Sequence, residues 1–91
     1  MKSILQIEKE CFVCQNTQNL ELHHCIHGTA NRRLSDDWGL TIWLCHEHHT
    51  GEYGVHFNKD LDDEIKKMAQ LGFELEHGHK EWMRIFGKNY V

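Results

Sequence analysis

Two pairs of residues spaced as metal ligands, Cys11-x-x-Cys14 and Cys45-x-x-His48, constrain the fold of this chain more than any other feature. Three thiolates and one imidazole make up a closed tetrahedral zinc site of the structural kind. An ion held this way ties the front of the chain to a point near its middle. Structural zinc in small peptides contributes on the order of 10 to 16 kcal/mol, against a net stability of about 5 to 15 kcal/mol for a typical domain. The apo chain is therefore expected to be unfolded or molten. That dependence suits a chain of 91 residues, a single small domain that buries only about 60 to 65% of the surface its unfolded form exposes.

Other uses of the cysteines fit less well. Cys11 and Cys14 are too close in sequence to close a useful disulfide loop, and Cys45 sits among histidines. A redox dithiol opens a helix after a strand, whereas CFVCQNTQN is a polar turn. Cys25, directly after a histidine pair, reads as a small buried side chain rather than a fifth ligand.

Around these ligands the pattern is that of an α+β domain. Ile4, Leu5 and Ile7 suggest a short strand or a turn of helix before the first ligand pair. Asn19 to Ile26 alternates as a strand, GTANRRLSDDWG reads as a loop, and Leu40 to Leu44 is a compact strand ending on Cys45. Gly51 and Gly54 limit any helix at HEHHT to about a turn. The last third is helical. Asn58 or Asp60 caps a helix through Leu61, Ile65, Met68, Ala69 and Phe73 that stops at Gly78, and KEWMRIFG forms a second, shorter one. The aromatic residues there read as core. No repeat, linker or low-complexity segment divides residues 1–91, and the chain has no proline.

The zinc site uses only one of nine histidines. His23, His24, His49 and His56 remain close to it in sequence. Successive side chains on a strand point to opposite faces, so His23 and His24 divide their labour: one binds a second metal and the other points at something nearby. His49, directed away from the zinc, faces that second position. His27, His46, His77 and His79 read as ordinary histidines without a site role. A zincin helix is excluded because HEHHT has Thr50 where the second histidine belongs, and a zinc deaminase because its Pro-Cys-x-x-Cys is missing.

In order and spacing, CFVC, LELHHCIHGTANRR and LTIWLCHEHH together resemble the HNH endonucleases, also called His-Me finger or ββα-metal nucleases, and most of all their small stand-alone phage versions. The resemblance covers about 11–58, with a C-terminal helical part at about 59–88. It implies a zinc-stapled ββα-metal fold in which a knuckle supports two strands and a helix around one catalytic divalent cation. It also implies hydrolysis of DNA phosphodiesters to 5′-phosphate and 3′-hydroxyl ends. By position, His24 matches the general base, His23 and His49 the ligands of the catalytic metal, and Cys11, Cys14, Cys45 and His48 the structural zinc. His56 is either a third ligand or phosphate contact, brought back by the glycines, or a plain surface or capping histidine. The family's middle Asn is missing near Gly39, leaving Asn31 and Asn58 as candidates, and Arg32 and Arg33 are placed to hold a phosphate. His23 where the family often has Asp removes a hard anionic donor, which favours Mn²⁺, Co²⁺ or Ni²⁺ over Mg²⁺.

Composition sets the remaining expectations. A net charge of -4 argues against nonspecific nucleic-acid binding, for which a basic surface is expected. No apolar run approaches the roughly 20 residues of a membrane span, and MKSILQIEKE carries no export signal. The expected setting is the cytosol, that of a bacterial host if the chain is phage-encoded, and the expected partner is DNA. A partner protein or a homodimer is not readable from these residues. Two other functions stay open. One is a noncatalytic zinc knuckle that binds DNA or protein, and the other is a degenerate nuclease used for recruitment.

Overall fold

A computed structural model describes all 91 residues and shows an α+β arrangement of one two-stranded antiparallel sheet and four helices. Strand β1 (Leu20–His24) pairs with β2 (Thr41–Cys45) in the register Leu20 opposite Cys45 and His24 opposite Thr41. Two strands alone are marginal in water, and these are covered from several sides. Ile42 and Leu44 are fully buried, together with Cys25, Ile26 and Leu40 just outside the strands. The register puts Glu21 and His23 on one face of β1 and Leu22 and His24 on the other.

Between the strands lies helix α1 (Thr29–Trp38), where the sequence suggested a loop. The Gly, Asn, Ser and Asp content of this segment misleads because Gly28 and Gly39 bound the helix instead of interrupting it. Gly39 adopts the left-handed conformation (φ 70°), and at this end the N–H groups of Gly39 and Leu40 donate to Asp36 and Ser35. A side chain at Gly39 would also strike the carbonyl of Lys2. Ser35 is no loop residue here. Fully buried, its hydroxyl donates to the carbonyl of Ile26 (2.7 Å) and accepts from the Ile26 N–H (3.2 Å), tying α1 to the end of β1.

The N-terminal segment forms neither a strand nor a helical turn. It runs along β2 and satisfies that strand's outer edge piecemeal. The Trp43 N–H donates to the Gln6 side-chain carbonyl (2.7 Å), and the Phe12 N–H donates to the Trp43 carbonyl (2.8 Å). This path brings Cys11 beside the end of β2 and covers an edge that would otherwise be free to pair with another chain.

After the single-turn helix α2 (His46–His49) come α3 (Lys59–His77) and α4 (His79–Phe86), a helical hairpin close to the sequence expectation. The Asn58 side chain caps α3 by accepting from the Leu61 N–H. Ile65, Ala69 and Phe73 form its buried stripe. Phe73 lies within 5.4 Å, centroid to centroid, of both Trp38 and Trp82, so α1, α3 and α4 meet at one aromatic cluster. Buried Gln70 holds the C-terminal segment through Asn89 and the Tyr90 N–H. No helix is long and apolar enough to cross a membrane.

Candidate functional site

The ligand pairs converge as their spacing predicts. Donor atoms of Cys11, Cys14, Cys45 and His48 all lie within 4.8 Å of one another, and all four cysteines are free thiols. Sγ of Cys14 is 3.8 Å from Sγ of Cys45, and Nδ1 of His48 is 3.2 Å from the Cys45 sulfur and 3.6 Å from that of Cys11. Thiolates about 2.3 Å from a tetrahedral zinc lie about 3.8 Å apart, so the donor set fits that ion. The knuckle turns through Gln15, which takes a positive φ of 62°, and the Gln15 N–H donates to the Cys11 carbonyl. Burial pushes the Cys11 thiol up, but backbone N–H groups of Cys45, Cys14 and Val13 outweigh it and bring the pKa to about 6. The thiolate that metal binding requires is thereby favoured. Cys25 stays outside this group, fully buried in the core.

A second cluster joins His23, His49 and His56, again with donor atoms within 4.8 Å. Nε2 of His49 and Nε2 of His56 are 3.2 Å apart, and the His23 ring lies 5.2 and 5.6 Å from theirs. Nitrogens bound to one ion at about 2.0 to 2.1 Å are about 3.0 to 3.4 Å apart. His23 is only 2% exposed, and its Nε2 has no hydrogen-bond partner, a costly state for a buried polar atom that a cation would relieve. Burial, reinforced by His49 and His56, lowers the His23 pKa to about 3 and keeps the ring neutral, the form that binds metals. Burial also lowers the pKa of His56.

His56 reaches this cluster through a tight return. The N–H groups of Val55 and His56 donate to the carbonyls of His48 and His49, and Val55 is buried. Gly54 passes so close to the His49 carbonyl that a side chain would have no room. Gly51 and Gly54 thus end α2 and also fold the chain back on it.

Glu21, on the same face of β1 as His23, fixes the orientation of α2. Its carboxylate accepts from Nδ1 of His49 (2.7 Å) and Nδ1 of His46 (3.0 Å). Because a carboxylate only accepts, the His49 proton sits on Nδ1, and its Nε2 presents a lone pair to the cluster. Such an outer carboxylate orients a ligating histidine and raises its basicity. The alternation in LELHH carried this signal, since a residue two positions before His23 must share its face.

On the other face of β1, Nε2 of His24 donates to Asp36 of α1 at 2.8 Å. The neutral ring therefore carries its lone pair on Nδ1. Asp36 gives no local signal in the sequence, because the Asn, Ser and Asp residues around it favour a loop and only the helix α1 turns it toward His24. His24 nevertheless lines the same cleft, about 530 Å³ in volume, as His23, His49 and His56. His27, which the sequence marks as ordinary, also lines this cleft, with Nε2 donating to Asp62 of α3 at 3.0 Å.

The remaining candidates separate. Arg32 lines the cleft, whereas Arg33 is exposed and faces Asp37. Asn58 is committed to capping α3, and Asn31, in the first turn of α1, is not part of the cleft wall. His46 pairs with Glu21, His79 with Glu74, and His77 packs on Trp38 and Phe73. Compared with protein-family models, with curated proteins and with solved structures, the chain finds no match in any of the three.

Proposed function

We propose that this chain is a metal-dependent DNA endonuclease of the HNH, or His-Me finger, type, and that its sheet and α2 are the ββα-metal core. The observation that carries this reading is the convergence on one cleft of three metal-donor histidines and a fourth, His24, held by Asp36. A binding module has no chemical need for an oriented imidazole beside a metal site.

In this reading Cys11, Cys14, Cys45 and His48 hold structural zinc, and His23, His49 and His56 hold the catalytic ion. A bound divalent cation supplies Lewis-acid stabilisation of negative charge on the phosphate and leaving oxygens. His24 acts as general base: Nδ1 takes a proton from the attacking water, and Asp36 stabilises the imidazolium through Nε2. The role of Asp36 parallels that of the carboxylate in hydrolytic triads, which fixes a tautomer and steadies the charge without taking the proton.

The test is conversion of supercoiled plasmid to nicked or linear DNA by zinc-loaded wild type and His24→Ala, with Mn²⁺, Ni²⁺, Co²⁺ or Mg²⁺ added. Cleavage that disappears in folded His24→Ala supports the assignment. Absence of cleavage with every metal would favour the noncatalytic zinc module, and equal cleavage by both proteins would refute His24 as base.

A further inference from the structure

The knuckle exposes its donors unequally. Cys11 and Cys45 are buried and His48 is half-buried, whereas Cys14 is the single exposed cysteine of the chain. It is open to small solutes while its partners are not. Thiolates, the form in which a metal site holds its sulfurs, are also the form that oxidants attack. Sγ of Cys14 lies 3.8 Å from Sγ of Cys45, so an oxidised Cys14 has a second sulfur beside it to complete a disulfide. Cys25, the remaining thiol, is fully buried in the core and stands apart from both metal-donor groups.

The backbone around the knuckle shows what such an event would disturb. Cys45 stands at the N-cap of α2, His48 and His49 are its last two residues, and the helix is a single turn of four residues without a side-chain cap. A segment this short does not hold its shape alone. It is fixed by Glu21 through His46 and His49 on one side and by the knuckle through Cys45 and His48 on the other. The carbonyls of His48 and His49 in turn accept from the N–H groups of Val55 and His56 at 2.9 and 3.3 Å. Two of the three cluster histidines, His49 and His56, thus take their places from backbone that Cys45 and His48 anchor.

We propose that Cys14 is an oxidation site for hydrogen peroxide and that its oxidation switches off the cluster of His23, His49 and His56. The Cys14 thiolate attacks one peroxide oxygen, the O–O bond breaks, and hydroxide leaves, giving the sulfenic acid. The Cys45 thiolate then attacks that sulfur, the S–O bond breaks, a second hydroxide leaves, and the disulfide forms. Two thiolates have lost two electrons, and the peroxide has gained them. With two of its four donors joined to each other, the knuckle releases its ion and α2 loses one of its two holds. The switch requires zinc in the knuckle and a cation site in the cluster, as the proposed function assigns them, and is independent of DNA cleavage.

The experiment treats the zinc-loaded chain with hydrogen peroxide. It follows zinc release with a chromogenic chelator, the disulfide by peptide mass spectrometry, and the affinity of the cluster by Co²⁺ titration once the released zinc is removed. Zinc should leave, Cys14 and Cys45 should be joined with Cys25 still a free thiol, and Co²⁺ affinity should fall by about 10- to 100-fold. Reduction by a phosphine with Zn²⁺ present should restore it. Cys14→His keeps four donors without the exposed thiolate, so it should bind zinc and retain it under the same treatment. If this variant takes up no zinc, the disulfide mapped in the wild type decides. Zinc retained by the treated wild type, a disulfide other than Cys14 to Cys45, or zinc loss from Cys14→His at the wild-type rate would overturn the oxidation site. Zinc loss with unchanged Co²⁺ affinity would overturn the switch. An untreated wild type that takes up no zinc, or no Co²⁺ beside it, would defeat the metal assignments and the switch with them.

Discussion

The Nε2 atoms of His49 and His56 face each other at 3.2 Å, although one residue ends α2 and the other follows a glycine turn. With the His49 proton held on Nδ1 by Glu21, its Nε2 is a bare lone pair, so a proton or a cation belongs between the two rings. His23, buried and neutral, brings a third imidazole into the same group, with the donor atoms of all three within 4.8 Å of one another.

Glu21→Ala should lower the affinity of this second site for Co²⁺ or Ni²⁺ by about 10- to 100-fold, because His49 loses the acceptor that fixes its tautomer. Isothermal titration of zinc-loaded protein measures this directly. Unchanged affinity would show that packing alone orients His49.

Gly54→Ala tests the return of the chain. A methyl group there would collide with the His49 carbonyl, and relieving the collision moves His56 away from His49. Second-site metal affinity should fall while the Cys11, Cys14, Cys45 and His48 site still retains zinc, as metal analysis after dialysis would reveal. Full retention of both sites would mean that the turn adapts.

Removing the zinc that Cys11, Cys14, Cys45 and His48 are placed to hold should unfold the chain. Its binding energy, on the order of 10 to 16 kcal/mol, is comparable to or larger than the net stability of a small domain. Circular dichroism before and after treatment with a strong chelator should show loss of the native signal and its recovery on adding Zn²⁺. Cys14→Ser should behave like the chelated protein, and a native spectrum without zinc would show that the core suffices alone.

Asp36→Asn should reduce DNA nicking by about 10²- to 10⁴-fold. An amide can donate to Nε2 of His24, which moves the ring proton to Nδ1 and removes the lone pair that the proposed mechanism needs for the water proton. Duplex binding measured by anisotropy should not change, so a parallel loss of binding would count against a role in proton transfer.

Three imidazoles and no carboxylate form the second donor set. Nitrogen donors suit transition ions, whereas Mg²⁺ prefers oxygen and dehydrates reluctantly. Plasmid cleavage should therefore be faster with Mn²⁺, Co²⁺ or Ni²⁺ than with Mg²⁺ at equal concentration, and a clear preference for Mg²⁺ would contradict this donor set.

The α+β class, the convergence of Cys11, Cys14, Cys45 and His48, and the helical hairpin were legible in the sequence. Each follows from short-range rules: ligand spacing, alternation along a strand, or periodicity along a helix. The opposition of His23 and His24 was legible for the same reason, since neighbours on a strand must diverge. α1 was not legible, because its Asn, Ser and Asp residues favour loops locally and only the distant bonds of Ser35 to Ile26 and the boundary glycines make a helix there. The partners Asp36, Glu21 and Asp62, and the meeting of His56 with His49, are tertiary decisions. A hydrogen bond between elements depends on their packing and register, and no local pattern encodes that distance.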